Sequence, residues 1–195
     1  MASLELIQKM RSETGAGIMD IKQALVEAKD DEKLALELLR KRGQKIAAKK
    51  QAERTAKNGL VESYIHAGGQ VGAMLVLACE TDFVSKNEEF KALAKDIAMQ
   101  IAAMKPEYIA REDVPMDVVA KEKEIYKEQL KGEGKPEAMW EKIAEGKLEK
   151  FYEQVCLLDQ IYIKDDKKKI KDLVNEVTAK LGEKLEVKQM IVFGV

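Results

Sequence analysis

The chain has 195 residues and carries 34 Lys and Arg against 35 Asp and Glu, so its formal net charge is −1 at pH 7. This balance gives no overall attraction to nucleic acid or to an anionic membrane surface. His66 is the only histidine, and Cys79 and Cys156 lie far apart, which excludes zinc sites with two histidines of one chain and argues against a disulfide framework. The sequence has no signal-peptide pattern and no apolar run near the roughly 20 residues of a membrane span, which predicts a cytoplasmic protein without a membrane segment.

The first 42 residues are predicted to form a compact unit of three short helices. Glycines in Thr14–Gly17 end the first helix, and Arg40–Arg42 followed by Gly43 is typical of the end of the third. Apolar residues recur at helical spacing and are the candidate core of this unit: Leu4, Leu6, Ile7, Met10, Ile18, Ile21, Leu25, Ala28, Leu34, Ala35, Leu38 and Leu39. Three short helices bury only a small core, which favours a binding module over an enzyme.

The next segment, residues 43–58, is predicted to be a basic helical connector. Between Arg40 and Lys57 there are eight basic residues and one acid, Glu53. A run of like charge on a helix is typical of a solvated face. A nucleic-acid patch is the alternative interpretation, but no aromatic residue is interleaved to stack on bases, so no direct nucleic-acid binding is expected.

After the connector the apolar pattern changes to the alternation of β-strands. Leu60–His66 alternates, Gly68-Gly69 forms a turn, and Val71–Glu80 is an apolar run, which together predict a β-hairpin. Because the second strand is apolar on both faces, it is predicted to be central and covered. The alternating segment Leu185–Phe193 is predicted to pair with this hairpin.

Helical segments complete the prediction of an α+β fold. Ser85 is predicted to open a capping box, followed by a helix that ends before Pro106. Two charge-rich helical stretches flank the loop at residues 132–136, which predicts an antiparallel helical hairpin over residues 117–156 that forms a coiled-coil-like arm. The antiparallel sheet and its helices then occupy residues 59–116 and 157–195.

The inventory of reactive residues argues against an enzyme. Gly15-Ala16-Gly17 lacks the third glycine of a dinucleotide loop and does not follow a strand, and no GxxxxGK[ST] motif occurs. Cys79 inside an apolar strand is best interpreted as a core residue. His66 at the hairpin end is interpreted as a surface or turn residue, with a partner contact as the alternative. No catalytic residue, metal site or cofactor is therefore predicted.

The corner that joins the second strand to the following helix, Thr81–Val84, has two interpretations. In one, Asp82 assists the helix start and Phe83 packs down as a hydrophobic staple. With Ser85 as N-cap, however, the staple pair would be Val84 with Glu89, which is not an apolar pair. In the other, Phe83 is a wedge that inserts into a partner. The residues alone leave both open.

Several motifs in order resemble the family of bacterial elongation factor Ts over nearly the whole chain. They are Thr14–Asp20 with Lys22 and Ala24-Leu25, Ala47–Lys50, Cys79–Val84 continued by Ser85-Lys86-Asn87, Gly134–Pro136, and Ile143–Gly146. The most specific of them is Cys79–Val84. The resemblance implies a guanine nucleotide exchange factor that binds the translational GTPase elongation factor Tu and promotes release of its GDP.

The resemblance also implies roles for particular residues. The first 42 residues resemble the family's ubiquitin-associated-type (UBA-like) module, which docks on the nucleotide domain of the GTPase. Its implied contact residues are Arg11, Ile18, Met19 and Lys22. Asp82 and Phe83 match the family's residues that intrude beside the magnesium site, so the corner Thr81–Val84 is the implied element of nucleotide release. Residues 117–156 resemble the family's protruding coiled-coil arm.

The chain resembles the short form of the family, which has one sheet-and-helix core. A second copy could supply the contacts of the missing core half, so a homodimer is our hypothesis, with the C-terminal strand as one possible pairing edge. Two other classes stay open: a generic adaptor that leaves GDP release unchanged, and an RNA-associated factor that uses Arg40–Lys57 and binds with steep salt dependence. Neither accounts for the corner Thr81–Val84.

Overall fold

The computed structural model of the chain describes residues 3–134 and 136–195, so Lys135 of the Gly134–Pro136 motif lies outside it. Within these ranges the helices are α1 (Leu4–Thr14), α2 (Ile18–Glu27), α3 (Glu32–Glu53), α4 (Asp82–Ser85), α5 (Glu88–Met104), α6 (Met116–Gly132), α7 (Trp140–Val155) and α8 (Ile170–Leu181). The strands are β1 (Asn58–Ile65), β2 (Val71–Cys79), β3 (Ile161–Tyr162), β4 (Asp165–Lys169) and β5 (Glu186–Gly194). All strand pairings are antiparallel, which confirms the α+β prediction.

Helices α1, α2 and α3 enclose a hydrophobic cluster of their own. Its buried members are Ile7, Met10, Ile21, Ala24, Leu25, Ala28, Ala35 and Leu39. Ser3 caps α1, since its Oγ accepts a hydrogen bond from the Leu6 amide. The helical spacing had also placed Leu4, Ile18 and Leu34 in this core, but these three side chains are exposed. Each lies on its helix next to a residue of the cluster but outside the cluster itself.

The third helix does not end at Gly43 as predicted but continues to Glu53. The reason is tertiary, because α3 packs against α8 and Arg40 forms a 2.9 Å ion pair with Glu176 there. A Cβ built at Gly43 would lie 3.4 Å from the Cβ of Ala179. The glycine therefore serves close helix packing rather than helix termination. The side chains of Ala47, Ala48 and Lys50, from the Ala47–Lys50 motif, lie outside the described part.

The main sheet has the strand order β1-β2-β5, which confirms the predicted hairpin and its pairing with the last strand. One face of β2 packs against α5 and α8 in a shared cluster. Its members include Ala73, Leu75, Leu77, Phe90, Leu93, Ile97, Ile101, Ile170 and Val174. Strand β2 is central in the sheet, as predicted. It is covered on one face only, because both helices pack on the same side.

The opposite face of the sheet is apolar and open to solvent. The register aligns alternate residues of the three strands on it, and we name the large members the exposed sheet face: Val61, Ile65, Met74, Ile191 and Phe193. Their exposed fractions run from 44% at Met74 to 71% at Ile65. The prediction that both faces of β2 are covered is therefore wrong.

Helices α6 and α7 pack against each other and join the core through a cluster of charges. Lys147 of α7 donates a 2.9 Å hydrogen bond to Gln129 of α6. At the base, Arg111 donates hydrogen bonds of 2.8 and 2.9 Å to Asp159 and two of 2.7 Å to Glu149. Lys171 of α8 lies 3.4 Å from Asp159. Arg111, Glu149, Asp159 and Lys171 form what we call the Arg111 cluster.

Two threonines of contrasting environment allow a matched stability test. Thr178 is fully buried, and its Oγ1 has no hydrogen-bond partner among the residues that the structure describes. The Thr14 Oγ1 donates to the Met10 carbonyl at 2.6 Å and accepts from the Ala16 amide at 3.3 Å. Because valine has the same shape without the hydroxyl, we expect Thr178→Val to raise the free energy of unfolding by about 1 kcal/mol and Thr14→Val to lower it by a similar amount. Urea unfolding of both variants measures the two signs, and a less stable Thr178→Val would contradict the expectation.

Candidate functional site

The corner Thr81–Val84 contains a one-turn helix, α4. Thr81 is its N-cap, with an extended backbone and a hydroxyl that accepts from the Val84 amide at 3.5 Å. The capping box predicted at Ser85 is therefore wrong. The Ser85 hydroxyl donates to the Asp82 carbonyl inside α4, and α5 begins at Glu88 with Asn87 as N-cap. Thr81 and Asn87 thus cap two separate helices, where the sequence predicted one cap at Ser85.

Phe83 projects from α4 into solvent with 82% of its surface exposed. It lies outside both hydrophobic clusters of the described residues, whereas its neighbour Val84 packs against the main cluster. The interpretation of Phe83 as a staple that packs down is therefore wrong. An exposed aromatic ring on a rigid turn is the kind of group that anchors in a partner.

Asp82 lies beside Phe83 on the same turn and is also exposed. Its carboxylate accepts a 2.9 Å hydrogen bond from the Lys86 ammonium, four residues on. This hydrogen bond and the charge of Lys86 hold the pKa of Asp82 below its ordinary value. The corner therefore presents an apolar ring next to an ionised carboxylate.

The corner is held by a carboxylate that the sequence analysis did not single out. Glu183, in the loop between α8 and β5, accepts hydrogen bonds from the backbone amides of Glu80 and Thr81 at 3.1 and 3.0 Å. Its other oxygen accepts from the Thr81 hydroxyl at 2.6 Å. In return, Glu80 accepts from the backbone amide of Lys184 at 2.6 Å. We name these four residues, Glu80, Thr81, Glu183 and Lys184, the corner clasp.

The segment after α3 and the first residue of β1 also bind the corner clasp. Arg54 reaches the Glu80 carboxylate at 3.2 Å and the Gly182 carbonyl at 3.4 Å, and the Asn58 side chain donates to the Glu80 carbonyl at 2.7 Å. Three distant segments thus meet at the corner. The sequence could have indicated this meeting, because the predicted antiparallel pairing of the last strand with β2 puts the start of β5 beside the end of β2.

Beneath the corner lies Cys79, whose thiol is fully buried and donates to the Thr81 carbonyl at 3.1 Å. Burial and the negative charge of Glu183 raise the pKa of Cys79 to about 11. At neutral pH the sulfur is a protonated thiol and a poor nucleophile. The geometry supports the interpretation of Cys79 as a core residue.

The other candidate residues lie on a separate unit, at the end of α1 and the start of α2. Arg11, Ile18, Met19 and Lys22 are all exposed, and Met19 has 75% of its surface in solvent. We call these four the N-terminal surface. The predicted site residues thus lie on two surfaces, one in the three-helix unit and one at the corner. His66 lies on neither and contacts the Tyr64 hydroxyl at the end of β1.

Neither surface resembles a metal centre. Within residues 3–134 and 136–195, no group of three or more His, Cys, Asp and Glu side chains is arranged to hold a metal ion. In the same ranges, every helix is too short or too polar to cross a membrane.

Comparison with known proteins gives a consistent result over the full length. The family model described as Elongation factor TS matches residues 4–195. Elongation factor Ts of Thermotoga maritima is 56% identical over 185 residues, which are 95% of this chain and 92% of that protein. The proteins of the same name from Thermodesulfovibrio yellowstonii and Desulforamulus reducens are 54% and 52% identical, over 98% and 97% of this chain and 94% and 87% of theirs.

Proposed function

Because the chain belongs to the elongation factor Ts family, we propose that it binds GDP-bound elongation factor Tu and promotes release of the GDP, so that GTP can bind. Family membership makes it a translation elongation factor. We propose that it works in the cytoplasm. The observation that carries the proposal is the exposed Phe83, which a dense set of hydrogen bonds holds on the corner beside Asp82.

The proposed mechanism is a coupling between two binding events and involves no bond chemistry. The factor and GDP each weaken the binding of the other by the same free energy. A thousandfold loss of GDP affinity requires roughly 4 kcal/mol. Magnesium bound with GDP in the GTPase would be a large local charge, and the Phe83 ring and the Asp82 carboxylate inserted beside it would supply much of this energy. Thr81–Val84 is the element that we assign to this disturbance.

The remaining segments receive roles in the same proposal. We assign residues 1–42 as the UBA-like module and its N-terminal surface, Arg11, Ile18, Met19 and Lys22, as the docking contact on the GTPase. Exposed apolar and basic groups side by side suit a partner surface of mixed character. Residues 43–58 are the connector, 59–116 with 157–195 the sheet core, and 117–156 the protruding arm.

The test of this function is the release of a fluorescent GDP analogue from bacterial elongation factor Tu in the presence of magnesium. We expect the release rate to rise with the concentration of this protein and to reach a plateau. Binding without acceleration would contradict the exchange function. If this protein did not bind elongation factor Tu at all, the alternative of a generic adaptor with another partner would be favoured.

We further propose that the chain forms a homodimer through the exposed sheet face. Monomeric proteins rarely expose a contiguous apolar patch of this kind. A twofold axis sets the same patch on both sides of the interface, so a patch of uncharged side chains avoids like-charge contacts. Val61, Met74, Ile191 and Phe193 meet this condition. The proposal places the interface on the face of the sheet to which β5 contributes, in preference to the free edge of β5.

Ile191→Glu is expected to convert the dimer to a monomer, because the interface would bury two carboxylates without partners. Sedimentation equilibrium at micromolar concentration measures the mass, with 21.9 kDa expected for one chain. Ile161→Glu is the matched control, since Ile161 and Ile191 are both 49% exposed and Ile161 lies on β3. A wild-type protein of monomer mass across this range would overturn the homodimer.

A further inference from the structure

We propose that Glu183 is a positioning residue for nucleotide exchange: its carboxylate fixes the first turn of α4 and thereby the direction in which Phe83 is presented. The inference rests on the proposed function, because it assigns how the corner is held for that function. Glu183 itself is half-buried behind the corner, and its role is exerted through Thr81.

A helix of one turn needs outside support for its conformation. Such a segment is unstable by itself, because the first turn costs more entropy than its hydrogen bond returns. In α4 the support enters at Thr81, whose hydroxyl donates to Glu183 and accepts from the Val84 amide. By fixing the hydroxyl proton, Glu183 orients the lone pair of Thr81 toward the helix amide.

The same carboxylate fixes the backbone just before the helix. One Glu183 oxygen accepts from both the Glu80 and Thr81 amides, so two consecutive peptide groups are held by one side chain. The reciprocal bond from the Lys184 amide to Glu80 and the Arg54 contacts hold the opposite side. The end of β2, the α8–β5 loop and the segment after α3 are thereby tied into one rigid support.

Phe83 depends on this support because its side chain has almost no packing of its own. With 82% of its surface exposed, the ring takes its direction from the α4 backbone. A group held in its bound orientation before binding avoids the cost of ordering during binding. Loss of Glu183 should therefore weaken the effect of Phe83 on the nucleotide more than it weakens docking by the N-terminal surface.

The experiment measures two quantities for each variant: the maximal rate of fluorescent GDP release from elongation factor Tu, and the factor concentration that gives half this rate. For Glu183→Ala we expect a maximal rate about tenfold lower, since a small displacement of a positioned group has effects of this size or larger. The half-saturating concentration should stay within about twofold. Glu183→Gln should recover most of the rate, because its amide oxygen can accept from both backbone amides.

A double-mutant cycle separates positioning from general stability. If Glu183 acts through Phe83, Glu183→Ala should cause no further loss in a Phe83→Ala background. Glu153→Gln is the control, because this carboxylate of α7 pairs with Lys169 at 2.8 Å and both residues lie outside the corner clasp. Should Glu183→Ala fail to fold, Thr81→Val removes the shared hydroxyl, and the same cycle applies.

The outcomes are distinct. An equal loss in the Phe83→Ala background, or a loss that only follows the fraction of unfolded protein, would overturn the positioning role. An unchanged maximal rate in Glu183→Ala would overturn it as well. If the wild-type protein itself gives no acceleration, the proposed function fails and the inference falls with it. A loss of rate that Glu183→Ala causes only in the protein that retains Phe83, and that Glu183→Gln largely restores, supports the assignment.

Discussion

Replacement of Phe83 with alanine is expected to remove most of the exchange acceleration while the fold and the binding of the GTPase are retained. The ring is exposed and outside the hydrophobic clusters, so its removal leaves no cavity in the protein. Anchoring aromatic groups at an interface typically account for roughly 2 kcal/mol or more. Because the proposed coupling uses this energy to weaken GDP binding, its loss corresponds to about a thirtyfold lower maximal rate, with the affinity for the GTPase retained. Stopped-flow release of fluorescent GDP measures this rate.

Met116→Ala is the control for this prediction. Met116 lies at the start of α6 and is 89% exposed. Its replacement therefore removes an exposed apolar side chain, as Phe83→Ala does, but at a position outside the corner. Both variants should unfold at the wild-type temperature, and only Phe83→Ala should lose exchange. A Phe83→Ala variant that releases GDP as fast as the wild type would end the wedge proposal.

The exposure of Phe83 also shows what the sequence could predict about the corner. The mismatch of a staple pair at Val84 and Glu89 indicated that Phe83 lacked a local packing role, and the structure agrees. The boundaries of the turn were wrong, because Ser85 and Asn87 are both good caps. Which of two neighbouring caps begins a helix depends on the preceding backbone, and here Thr81 had already begun a separate turn.

Periodicity predicted the strands and their pairing because each strand is long and clearly alternating or apolar. Gly43 was misinterpreted because a glycine that ends a helix and a glycine that lets two helices approach look the same in sequence. The open face of β2 was missed because apolar residues on both sides of a strand do not say what covers each side. Glu183 was missed because its partners, Glu80 and Thr81, are about a hundred residues away.

Loss of the Asp159 charge is expected to be the largest effect on stability. Asp159 is 4% exposed and accepts two hydrogen bonds from Arg111, which also binds Glu149 of α7. Removal of the Asp159 charge leaves Arg111 with Glu149 as its ion-pair partner and removes the compensating charge on the buried side of the guanidinium. We expect Asp159→Asn to lower the free energy of unfolding by about 2 kcal/mol at pH 7, less than for a fully buried pair, because the Arg111 side chain is 31% exposed.

The pH dependence of this loss identifies its cause. Burial by itself raises the pKa of Asp159, but the hydrogen bonds and charge of Arg111, together with Lys171, outweigh burial and hold the pKa below its ordinary value. A carboxylate with a lower pKa in the folded state stabilises the fold above its unfolded pKa, about 3.9 for aspartate, and this contribution disappears as pH falls through the folded value. The difference in urea stability between wild type and Asp159→Asn should therefore be full at pH 7 and shrink below about pH 4.

Glu149→Gln provides the comparison within the Arg111 cluster. Glu149 binds the same guanidinium, and the hydrogen bond from Arg111 lowers its pKa, but its side chain is 56% exposed. An exposed ion pair contributes little to stability because water solvates both charges. Glu149→Gln should therefore lower the free energy of unfolding by less than Asp159→Asn does at pH 7. A difference for Asp159→Asn that stays constant from pH 7 to pH 3 would show that shape, and not charge, explains its effect. A stability difference for Asp159→Asn that shrinks as the pH falls would instead show that one buried carboxylate, held ionised by Arg111, fastens the α6–α7 pair to the core.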